Sequence, residues 1–166
     1  MLFGDPATFA VEIHCEPVEP RSRGFGRMCI FVGGMRLGNL DEEHCSLFHA
    51  VDRIAEVAST LPGLWDERFS CCEPEAIFAY LDRALYDAGQ PPLENLHRFD
   101  FLTNTGEQFD HEKSFVYTQP DGNVRVLLQR GEAPVTSAVC RSSEFKQVAA
   151  ELVVWFRNQV QAGGVH

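Results

Sequence analysis

Three groups of residues combine the types and spacings that chemistry needs. His44, Cys45 and His49 precede an apolar run. Cys45 and His49 are four apart, so one helical face would present both to a metal ion. Cys71-Cys72 would add a ligand, but adjacent cysteines are not a CxxC pair and no second matched pair exists. Asp110-His111-Glu112, with Glu107 just ahead, is the kind of cluster that binds a divalent ion or works as acid and base. Its other reading is a solvated acidic loop. Phe109 lies among these charges, either as a core anchor or as an exposed aromatic in an acidic rim, the composition of a recognition patch.

Other chemistries lack their signatures. Ser46, Ser59, Ser70 and Ser114 stand outside any GxSxG elbow. Nothing around the six cysteines marks one as an activated nucleophile. Gly24-Phe25-Gly26 and Gly33-Gly34 match neither phosphate-loop pattern and read as strand kinks and turns. The expectation is therefore no catalytic residue, no cofactor and no metal. The runner-up is a small cytosolic enzyme or metal protein using His44, Cys45 and His49 or the Asp110-His111-Glu112 loop.

The acidic residues remain: Asp41-Glu42-Glu43, Asp66-Glu67, Glu73 and Glu75, Asp82, Asp87 and the Glu107–Glu112 loop with Asp110. Spread over turns and helix ends, such residues form a solvated face. If several converge, they make a negative patch that attracts and selects a basic partner. The formal net charge is −10, which argues against a nucleic-acid binder because phosphates demand Lys and Arg.

The elements that must position these residues follow from periodicity. Thr8 to Cys15 alternates, with Phe9, Val11, Ile13 and Cys15 on one face, after a Gly4-Asp5-Pro6 turn. A loop with Pro17 and Pro20 leads to a more apolar strand, Phe25 to Val32. Gly33-Gly34 turns it into a short strand from Met35 to Asn39. Leu47, Val51, Ile54, Ala55, Ala58 and Leu61 mark a helix over about 43–60, stopped by Pro62-Gly63. Pro74 opens a second helix with Ile77, Phe78, Leu81 and Leu85 as its stripe, ended by Gly89 and Pro91-Pro92. Phe99, Phe101 and Leu102 suggest a strand over about 97–103. Phe115 to Thr118 and Val124 to Leu128 flank Pro120-Asp121-Gly122-Asn123, the strongest hairpin signal. Val135 to Cys140 reads as a further strand. Ser142 or Ser143 then caps a last helix over about 143–161, ended by Ala162-Gly163-Gly164.

Strand runs and helix runs are segregated. The expected fold is α+β, a mostly antiparallel sheet of six to seven strands with about three helices on one face, in one domain over 1–166. Residues 1–20 show no basic start followed by a long apolar run, and no window reaches the length of a membrane helix. The expected location is cytoplasmic, with no membrane partner and with the cysteines as reduced thiols.

Phe3-Gly4-Asp5-Pro6 followed by Phe9-Ala10-Val11-Glu12 resembles the opening of the immunity protein forty-two group of bacterial polymorphic toxin systems. Gly33-Gly34-Met35-Arg36-Leu37-Gly38 is similar to a hairpin of that group. Looser similarity continues through Phe109-Asp110 to Tyr117, the Asp121-Gly122 hairpin and the terminal helix. The resemblance implies a non-catalytic protein that binds and neutralises a cognate toxin domain. The resemblance does not fix the toxin's activity, and a nuclease with a basic active-site groove is one class that would pair well with a −10 chain. The expected partner-binding residues are Asp41, Glu42, Glu43, Asp66, Glu67, Glu107, Phe109, Asp110 and Glu112.

Overall fold

A computed structural model describes residues 1–16, 24–87 and 95–161. The Pro17–Pro20 loop, the Gly89 and Pro91-Pro92 stop and the Ala162-Gly163-Gly164 ending lie outside them. Eight strands and three helices are present among the described residues: β1 (Leu2–Asp5), β2 (Phe9–Cys15), β3 (Phe25–Val32), β4 (Met35–Leu37), β5 (Cys45–Ser46), α1 (Phe48–Thr60), α2 (Pro74–Tyr86), β6 (Glu112–Thr118), β7 (Val124–Arg130), β8 (Thr136–Cys140) and α3 (Ser142–Gln161). The class is α+β with antiparallel pairing throughout. The strands form two sheets rather than one: a five-stranded sheet in the order β1-β2-β3-β4, with β5 also on β3, and a three-stranded sheet, β6-β7-β8.

Alternation sets the register of the first sheet. Phe9, Val11 and Ile13 stand opposite Val32, Ile30 and Met28, and all six are fully buried. Their shared face receives α3, where Phe145 stacks on Phe9 with ring centroids 4.3 Å apart. Helix α1 packs against α3, with Phe48 edge-on to Phe156 at 5.2 Å. The second sheet is covered by α2, whose Phe78 meets Phe115 of β6 at 4.9 Å. The helices are thus shared between two sheets, not gathered on one. A single apolar core joins both, and Phe145 also reaches Phe101 at 6.1 Å.

The two sheets meet along a polar seam. Glu112 of β6 accepts the Gly38 N–H on Oε2 at 2.7 Å and pairs Oε1 with Arg130 Nε at 2.8 Å. Arg130 in turn donates to the Arg36 carbonyl. Gly38 has φ +86°, and a Cβ there would lie 2.7 Å from the Phe109 ring, so this crossing admits glycine alone without strain. Gly33 and Gly34 both have positive φ, as the tight β3–β4 turn requires.

Four local expectations are corrected. Leu2–Asp5 is a strand, paired with Phe9–Glu12, where a turn was expected. Helix α1 begins at Phe48 rather than near 43, because Cys45–Ser46 pairs with Phe25–Gly26. The stretch over 97–103 is a 3-10 turn at Leu96–Phe99 followed by one isolated bridge, Asp100 to Phe115. Arg53 of α1 collects the carbonyls there, donating to Arg98 at 2.8 Å and to Asp100 at 2.9 Å, which replaces ladder pairing. The Ser142 hydroxyl donates to the Gly122 carbonyl and so ties α3 to the β6–β7 hairpin, where a helix cap was expected. No helix among the described residues is long and apolar enough to cross a membrane.

Candidate functional site

The connection from β4 to β5 carries Asp41, Glu42 and Glu43, all exposed. Its shape is local: the Asn39 side chain accepts the Asp41 N–H at 3.1 Å, an Asx turn. Its place is tertiary: the Asn39 N–H donates to the Gln108 carbonyl at 2.9 Å. That contact brings in the 3-10 turn Glu107–Phe109. The Glu107 carboxylate stands at the buried Cys45 thiol, and Cys45 Sγ lies 3.7 Å from the carbonyls of Glu42 and Glu43. Burial first, then the Glu107 and Glu42 charges, push that thiol's pKa up. Asp110 is exposed at the end of the same turn.

Glu16 joins this rim, although nothing in its sequence context marks it. His44 has φ +61° and donates its backbone N–H to Glu16 Oε1 at 2.9 Å, while its ring Nδ1 lies 2.5 Å from Oε2. The backbone hydrogen bond is the main reason the Glu16 carboxyl is held below its ordinary range. Glu43 is paired with Arg27. Among the described residues, the result is a rim of carboxylates from three separate segments, with one guanidinium and one imidazole set among them.

Three other expected partner residues, Phe109, Glu112 and Asp66, are spent internally. Phe109 is a core anchor, 1% exposed, against Gly38. Glu112 forms the seam between the sheets. Asp66 and Glu67 lie past the C-terminal end of α1, whereas Asp41 to Glu43 precede its start. Asp66 caps a 3-10 turn by accepting the Arg68 N–H at 3.0 Å, and its carboxylate takes Arg68 Nε at 2.8 Å and Nη2 at 2.5 Å. These Arg68 hydrogen bonds pull the Asp66 pKa down to about 2. Glu67 is exposed beside it.

The corner around Asp66 has a composition that sequence reading missed. Arg68 lies over the Tyr80 ring at 5.2 Å and donates to its hydroxyl. Arg98 lies over the Phe99 ring at 4.7 Å and donates to the Trp65 carbonyl at 3.3 Å. Trp65 is half-buried, edge-on to Phe69. Residues 65, 68, 80 and 98 share no motif, so only folding brings them together.

The sets with catalytic or metal-binding potential do not assemble. Cys45 is buried in β5, His44 is turned onto Glu16, and His49 is exposed on α1. The helical spacing of Cys45 and His49 is lost because the helix starts after Cys45. Asp110, His111 and Glu112 line an open cleft of about 440 Å³ with Tyr86, Thr103 and Lys113, but Glu112 is committed to Gly38 and Arg130. Among the described residues, no group of three or more His, Cys, Asp or Glu is placed to hold a metal ion. Behind that cleft, Tyr86 donates to Asp100 Oδ2 at 2.6 Å, while Asp100 Oδ1 is buried without a partner. Burial pushes the Asp100 carboxyl up, against the pull of the Tyr86 hydrogen bond.

Comparison with known proteins agrees with this architecture. The crystal structure of CdiI from Burkholderia dolosa AUO158 is similar, with a TM-score of 0.68 at 17% sequence identity, covering 93% of this chain and 99% of that one. At that identity the likeness is one of fold. No curated protein matches. The profile of the family described as Immunity protein 42 matches residues 1–155. With nearly the whole length matched, the chain belongs to the immunity protein 42 family.

Proposed function

We propose that this protein is a non-catalytic immunity protein of the cytoplasm that neutralises a cognate toxin domain by binding it. The observation that carries the reading of the surface is the approach of the Glu42 and Glu107 carboxylates to Cys45, with the exposed Asp41, Glu43 and Asp110 on the same two segments and Glu16 bound to the His44 N–H. Carboxylates held on loops of a −10 protein project a field that draws in a basic surface and orients it. The substrate groove of a nuclease is such a surface, since it must neutralise phosphates. Blocking that groove needs shape and charge and no chemistry of the inhibitor's own.

The test is co-expression with the toxin domain encoded beside this gene, followed by co-purification. The expected result is rescued growth and a complex that survives gel filtration. Unrescued growth with no complex would overturn toxin binding. Rescue that persists with unchanged association rates after charge reversal at Glu42, Glu43 and Glu107 would overturn the acidic rim as the docking surface.

A further inference from the structure

Residues that dominate the energy of protein interfaces are Trp, Tyr and Arg, clustered and already held in place, whereas Asp and Glu are depleted at interface centres. The acidic rim has the composition of an interface edge. The corner past α1 has that of an interface centre. Arg68 and Arg98 keep 56% and 42% of their side chains exposed. Each lies over an aromatic ring and is hydrogen-bonded besides, so less side-chain freedom is left to lose on binding. Arg68 spends its donors on Asp66 and Tyr80. Arg98 does not: its carboxylate contact among the described residues is the 4.0 Å approach of Nη2 to Asp66 Oδ2. A planar guanidinium with an open edge takes a carboxylate in two parallel hydrogen bonds. Trp65 lies beside it, half-buried, with Tyr80 beyond Arg68.

We propose that the Trp65–Arg68–Tyr80–Arg98 corner is the contact that holds the cognate toxin domain once the complex has formed, with a carboxylate of that domain in the Arg98 fork and an apolar side chain against Trp65. This rests on the toxin-binding reading above and deepens it. The rim governs how fast the partner arrives; the corner governs how slowly it leaves. Helix α1, 13 residues and so about 20 Å long, lies between the two in the chain.

The experiment is surface-binding kinetics with the inactivated toxin domain encoded beside this gene, using the full chain. Arg98→Ala and Arg98→Glu are expected to raise the dissociation rate about tenfold or more, with association rates within about twofold of wild type. Arg98→Lys keeps the charge and loses the fork, so it is expected to dissociate nearly as fast as Arg98→Ala. Trp65→Ala is read beside its melting temperature, because Trp65 also packs on Phe69. Dissociation rates within about twofold of wild type for both Arg98→Ala and Arg98→Glu would overturn the corner while leaving toxin binding intact. A wild-type protein that forms no complex would overturn toxin binding itself, and the corner with it.

Discussion

The rim before α1 and the corner after it use the same residue classes in opposite ways. In the rim, Asp41 and Glu42 are exposed on a loop, and Glu43 alone among the described residues there meets a guanidinium, that of Arg27. In the corner, one carboxylate, Asp66, is nearly enclosed by Arg68 and approached by Arg98, and the cations lie on rings. Loose charges act at a distance and fade with salt. Locked charges act on contact, because their geometry is set beforehand. A protein can therefore be strongly acidic overall and still present exposed arginines at one corner.

The sharpest way to break this contrast is at the rim's foundation. Phe109→Ala should destabilise the protein by about 3–5 kcal/mol, because the ring is fully enclosed beside Gly38. Chemical denaturation measures this. A variant of unchanged stability that binds the toxin weakly would instead make Phe109 a contact residue.

Charge reversal of Glu42, Glu43 and Glu107 together should slow toxin association by about tenfold or more at low salt, with the difference shrinking as salt rises. Dissociation should stay close to wild type. A salt-independent loss, or one confined to dissociation, would erase the distinction between rim and corner.

Asp100 tests how far burial alone can move a carboxylate near the corner. Its folded pKa is raised, so its contribution is fully present below the ordinary carboxylate value of 3.8 and is lost as pH rises through the folded value. Asp100→Asn should therefore match or exceed wild-type stability at pH 7, with the gap closing as pH falls toward 4. Thermal melts across that range decide it, and an Asn variant that is less stable at pH 7 than at pH 4, relative to wild type, contradicts the sign.

Asp66 shifts the other way. Its pKa falls from 3.8 to about 2, so what it contributes is present above 3.8 and is lost as pH drops through about 2. Asp66→Asn should remove that part of the acid limb and leave the curve near neutrality parallel to wild type. This is the smallest expected effect, since the pair sits at the surface, where screening is strong.

Local signals carried much of the fold. The alternation of Phe9, Val11 and Ile13 marks β2, Pro74 marks the start of α2, and Asp121-Gly122 marks the β6–β7 hairpin. The failures came where tertiary contacts outweighed local pattern. Phe99 and Phe101 alternate like a strand, yet Arg53 takes up the neighbouring carbonyls and holds a 3-10 turn. The run ahead of α1 looked helical, yet Cys45–Ser46 finds ladder partners on β3.

The site was legible as a list of charges and not as a place. Composition and local pattern determined the α+β class, the negative charge and the exposed acids of Asp41–Glu43. Periodicity and turn chemistry are properties of neighbours in sequence, and charge is a sum. Tertiary structure alone decided that Glu107 and Glu16 join those acids, that Phe109 and Glu112 are structural, and that Trp65, Arg68, Tyr80 and Arg98 meet. Those facts depend on which distant segments satisfy each other's hydrogen bonds and bury each other's rings, and no window along the chain contains both partners.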